Sequence, residues 1–176
     1  MISLLVLFWM YVLLFAIIGA MRGWAKEILV TAGVVLALFV ITILENYIPF
    51  FRDSLTTNSS FWMRMIILGV MTFFGYQGPN IPRNIDNRKF MRDRFGDYLF
   101  GTIFGAFNGY MIFGTAWFYL KEANYPFDWI TAPDMLTEAG KNVQVLIDIL
   151  PPQWLQTPTL YYAVAIAFII ILVVIT

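Results

Sequence analysis

Two small groups of charges are the only residues in this chain whose types and spacing could support chemistry. Arg22, Lys26 and Glu27 stand between two apolar stretches, and Asp93, Arg94 and Asp97 stand just before a third. Charges at such edges serve as interfacial anchors or pair between helices, since long basic side chains reach back to the headgroups. Conduction of ions or protons would need acidic groups well inside a span. None is expected there, because Glu45 and Asp97 are terminal. Cysteine and histidine are both absent. That excludes disulfides, iron–sulfur clusters, thiolate zinc sites, His-ligated haem and His-based acid–base catalysis. The sequence therefore predicts no cofactor, no metal and no enzyme activity.

The elements that must hold these charges are apolar helices. Hydrophobic residues make up 60% of the 176 and charged residues only 12%, about half the charged share of a soluble domain. The stretches Ile2 to Met21, Ile28 to Leu44, Tyr98 to Leu120 and Trp154 to Thr176 carry no charge at all. About 20 apolar helical residues cross a bilayer core, where a backbone must satisfy its own hydrogen bonds. The first run has no basic residue before it and exceeds a 7–15-residue signal core, so it reads as a retained span. The expected fold is all-α, a polytopic transmembrane helix bundle with about five spans, at roughly 2–21, 27–45, 61–77, 98–120 and 158–176. The third is short, because its charge-free part is only Met65 to Gln77. Net charge is zero, so no nucleic-acid partner is expected.

Basic residues sort the connections. Arg22, Lys26, Arg83, Arg88, Lys89, Arg92 and Arg94 fall on one side of the predicted bundle, and Arg52, Arg64, Lys121 and Lys141 on the other. The positive-inside rule places the first set in the cytoplasm and the 121–157 segment outside. Within that segment, Thr131 and Asp134 have capping-box spacing, and Met135, Ala139, Val143, Leu146, Ile147 and Leu150 recur at helical steps. This predicts an amphipathic helix before the last span, stopped by Pro151-Pro152. It either lies on the outer leaflet or packs over the ends of the bundle.

Gly101, Gly105 and Gly109 follow one another at four-residue steps, so they stack into a groove without side chains on one helix face. Another helix can approach closely there, and such packing is what associates helices in lipid. Gly19 and Gly23 in the first span, or Gly33 and Ala37 in the second, are the candidate matches.

Two stretches resemble the CvpA family, the colicin V production proteins. One is Met21-Arg22-Gly23-Trp24-Ala25-Lys26-Glu27, followed by an apolar helix; the other runs from Asp97 through Gly101, Gly105 and Gly109. Tyr98 and Asn108 stand where the family's pattern has arginines. The resemblance covers roughly residues 1–125 and implies a four-helix membrane region. Residues 126–157 would then be an extracytoplasmic segment, and 158–176 an added fifth helix. It also implies a multi-pass protein of the bacterial inner membrane, linked to colicin V production and envelope function, with no enzyme activity. The expected role is a scaffold or assembly protein whose partners are the bilayer and other membrane subunits or copies of itself. Two alternatives stand beside it. The 18% aromatic content suits an accessory subunit of a respiratory or photosynthetic complex. A small transporter or channel is disfavoured by the expected lack of polar groups inside the spans.

Overall fold

The computed structural model describes residues 4–53, 56–77, 90–127, 130, 132–134 and 136–175, and of residues 52–53, 90–94, 139 and 173–175 the backbone alone. Among the described residues every regular element is helical. They are α1 (Leu4–Arg22), α2 (Trp24–Tyr47), α3 (Pro49–Asp53), α4 (Thr57–Tyr76), α5 (Phe90–Glu122), α6 (Glu138–Asp148), α7 (Pro151–Trp154) and α8 (Thr159–Ile175). Three helices are long and apolar enough to cross a membrane: α1, α2 and the Phe95–Glu122 part of α5. Helix α8 is apolar over Thr159–Leu172 but shorter than these, and α4 falls below them in hydropathy. α4 begins earlier than its apolar run, because the Thr56 side chain accepts a hydrogen bond from the Ser59 backbone N–H and caps it.

α1 and α2 are joined by a single residue. Gly23 turns the chain at φ 85, ψ 156, a region open essentially to glycine alone. A Cβ built on Gly101 would also sit 3.2 Å from the Gly23 Cα, so the turn is pressed against α5. Gly23→Ala should therefore cost about 1–3 kcal/mol, read as a lowered melting temperature in detergent. Unchanged stability would mean that the turn relaxes freely. At the far end of α5, Asn124 and Tyr125 both take positive φ. The Asn124 N–H donates to the Lys121 carbonyl and the Tyr125 N–H to the Leu120 carbonyl, the pair of bonds that closes a helix C-terminus. Burial pushes the Tyr125 hydroxyl pKa up.

α2 and α4 run antiparallel, since Gly33 meets Met71 while Glu45 meets Arg64. α1 packs along α5, and α2 packs against α4, α5 and α8. The core lies along the inner face of α2, where Val34, Leu38 and Ile41 belong to one buried cluster with Met111 of α5. A stacked pair, Tyr11 on Phe113 at 3.9 Å, closes the α1–α5 seam.

The segment before the last helix departs from the expected arrangement. Thr137, not Thr131, caps α6, by accepting from the Gly140 N–H at 3.1 Å. Asp134 instead accepts from the Leu136 N–H, and Thr131 and Met135 lie outside the described residues. α6 is packed into the bundle rather than laid flat on it. Its Val143, Ile147 and Leu150 join the core, and Tyr110 of α5 donates to the Ile149 carbonyl. The Trp154 indole N–H in turn donates to the Tyr110 hydroxyl at 3.1 Å. Pro151 lies against Gly114, where a Cβ would meet its Cδ at 2.8 Å. Gly114 is eight residues short of Glu122, so this break lies about 12 Å inward from the end of α5. The pair Pro151-Pro152 does not simply stop α6; it opens the short α7, where a proline costs nothing at the first helical position. From there α8 runs back along α2, with Tyr161 beside Phe39 at 6.0 Å between ring centroids.

Candidate functional site: two ionic clusters at the ends of the bundle

Glu27 sits in the first turn of α2 and is completely buried. A lone carboxylate could not remain ionised there without partners. It has three. Arg22 Nη1 donates to Oε1 at 2.7 Å, and Asn108 Nδ2 donates to Oε2 at 2.8 Å and to the Glu27 backbone carbonyl at 2.9 Å. The Thr31 hydroxyl, one turn along α2, donates to Asn108 Oδ1 at 2.7 Å, which sets the amide's orientation. Arg22 also donates through Nη2 to the Tyr76 carbonyl at 3.0 Å, and its guanidinium lies 4.3 Å from the Tyr76 ring centroid. The cluster thus joins the end of α1, the start of α2, the end of α4 and the middle of α5. Planar, forked guanidinium suits this multi-sided role better than a lysine ammonium would.

A second cluster closes the opposite end. Arg64 of α4 donates through Nε to Glu45 of α2 at 2.6 Å and through Nη1 to Glu122 of α5. Its guanidinium is 4.6 Å from the Tyr119 ring centroid. Glu27 and Glu45 are eighteen residues apart on one face of α2, which separates the clusters by about 27 Å. That is close to the thickness of a hydrocarbon core. Between them on α5, the Thr115 hydroxyl is buried and has no partner among the described residues.

The glycines hold the helices close enough for these bonds to form. On Gly105, a Cβ would lie 2.8 Å from the Gly19 Cα, and on Gly109 one would lie 2.9 Å from the Val12 Cα. Gly101 faces the Gly19 carbonyl and Gly23. The ridge on α5 therefore meets α1. Gly33 does not join it: a Cβ there would meet the Met71 carbonyl oxygen of α4 at 2.8 Å, and its counterpart is Gly75, set against Val30.

Sequence reasoning placed Arg22, Lys26, Glu27, Arg94 and Asp97 in one boundary cluster, and the structure divides them differently. Arg22 and Glu27 bond to each other, and their partners on other helices are Tyr76 and Asn108. Lys26 is half-buried and forms no ion pair among the described residues. Asp97 lies a turn outward from Gly101 on α5, and the Arg94 side chain falls outside the described residues. Glu27 is enclosed by the bundle although it stands in the first turn of α2, about one turn in from Gly23 and not at mid-span. Asn108, Thr31 and Tyr76 were missed. Asn108 had a legible signal: it is the one amide in the uncharged run Tyr98 to Leu120, next to Gly109 on the ridge.

Compared with protein-family models, curated proteins and solved structures, the chain matches none.

Proposed function

We propose that this protein is a non-enzymatic integral membrane scaffold or assembly factor, similar to the CvpA family in its first hairpin and glycine-bearing helix. The observation that carries this reading is how the buried Glu27 is used. Both carboxylate oxygens and the Asn108 amide are engaged in bonds between helices, leaving none of them to meet a substrate. A satisfied polar network of this kind fixes one arrangement of helices. It suits a rigid platform on which other membrane subunits, or further copies of the chain, assemble. The resemblance adds the bacterial inner membrane as its location and envelope function or colicin V production as its setting.

Purification in mild detergent tests the proposal. A homo-oligomer, or a stable complex with another membrane protein, is the expected result; substrate-dependent flux in proteoliposomes would overturn it. A large stoichiometric energy-converting complex would instead favour the accessory-subunit reading. Orientation is tested separately, since the chain has no native cysteine. A cysteine at Glu138 should react with an impermeant reagent on intact cells, and one at Arg88 (outside the described residues) should not. The reverse pattern would invert the topology.

A further inference from the structure

We infer that the groove between α4 and α8 holds one acyl chain of an anionic phospholipid whose phosphate meets Lys26. Both helices pack on α2, and a cavity of about 280 Å³ is lined by all three. Its walls are formed by apolar residues, among them Leu29 and Gly33 of α2, Met71 and Gly75 of α4, and Ala167 and Phe168 of α8. Gly33 and Gly75 bring α2 and α4 together there without side chains, and this leaves a recess in place of a flat helix face. The recess is lined by α2, one of the three helices fit to cross a membrane, at positions between its ends, so hydrocarbon is the medium that suits it.

The charge at one end selects the headgroup. Lys26 lies three residues before Leu29 and seven before Gly33, which places it on the same flank of α2 about one to two turns toward the hairpin. It is half-buried, and no described residue pairs with it, whereas neighbouring Arg22 is fully committed to Glu27 and Tyr76. An ammonium at a membrane boundary attracts anionic lipid, and a groove leading away from it fits the tail of the same molecule. Neutral lipid would gain the groove but not the charge.

The test uses the whole protein in detergent, titrated with mixed micelles of phosphatidylglycerol or of phosphatidylcholine, with melting temperature and retained lipid as readouts. Phosphatidylglycerol should stabilise the wild-type protein more and be retained through purification. Lys26→Gln should weaken its binding about fivefold and abolish the difference between the lipids. Ala167→Phe, which fills the groove from α8, should reduce the response to both. Short-chain phosphatidylglycerol on the wild-type protein gives the same information without any variant: a response equal to that of the long-chain lipid would eliminate the tail site. Equal responses of the wild type to the two headgroups, or a preference that survives Lys26→Gln, would overturn the assignment and point to general attraction by the other basic residues.

Discussion

Arg22→Ala is expected to cost on the order of 3–5 kcal/mol, the usual loss when one member of a buried ion pair is removed. Glu27 is completely buried, so without the guanidinium its carboxylate would keep only the Asn108 amide as a compensating donor. Arg22 is about one-fifth exposed and can turn its head toward water, so the opposite change, Glu27→Ala, should be milder. The double variant should then cost clearly less than the sum of the singles, because neither charge is left behind. Thermal melting of the four proteins in one detergent measures this. Additive losses would show that the two residues act independently and that the cluster is not a unit. The scaffold reading adds a second expectation: these variants should lose recovery of the intact protein or its complex. Normal assembly with loss of a transport or enzymatic rate would replace that reading with a chemical one.

Gly105→Leu should be nearly as damaging, at about 3 kcal/mol, the upper part of the range for overpacking. The new side chain would be directed at backbone: the Phe15 carbonyl and the Gly19 Cα of α1. Backbone cannot rotate aside as a flexible side chain can, so α1 and α5 must separate along their whole seam. The separation would also withdraw Asn108, three residues further on, from Glu27. Phe107→Leu is the control, since Phe107 is on an exposed part of the same helix and should be tolerated. Equal tolerance of both changes would show that the ridge makes no close helix contact.

The two results together would separate the contributions of packing and polar pairing. If Gly105→Leu were severe but Arg22→Ala mild, close packing would dominate and the ionic cluster would only fix the helices' register. The reverse would make the polar network the principal bond among α1, α2, α4 and α5. In lipid both outcomes are physically open, because the hydrophobic effect supplies no attraction between helices there.

The amino-acid sequence by itself determined the helical character, the membrane class and the faces. The four-residue steps from Gly101 to Gly109 put three glycines on one side of α5 whatever the rest of the chain does, because helix geometry is local. The apolar runs likewise set where helices form, and the Arg22–Glu27 pair lies within a few residues on either side of a glycine that must turn. Which faces meet was decided only in three dimensions. Nothing local assigns the α5 ridge to α1 and Gly33 to Gly75, since both surfaces are equally bare; the pairing depends on contacts far apart in sequence. The same holds for Asn108, which reads as a stray amide until α2 brings Glu27 and Thr31 to within 2.8 Å and 2.7 Å of it. The third span was expected to start near Phe61 with Arg64 inside it, but only three dimensions show what neutralises that charge, Glu45 and Glu122 of two other helices. α6 was legible as amphipathic, but its inward course rests on Tyr110 and Gly114, whose roles appear only when Ile149, Pro151 and Trp154 are set against them. Periodicity tells a helix which side to bury, and only the completed bundle tells it against what.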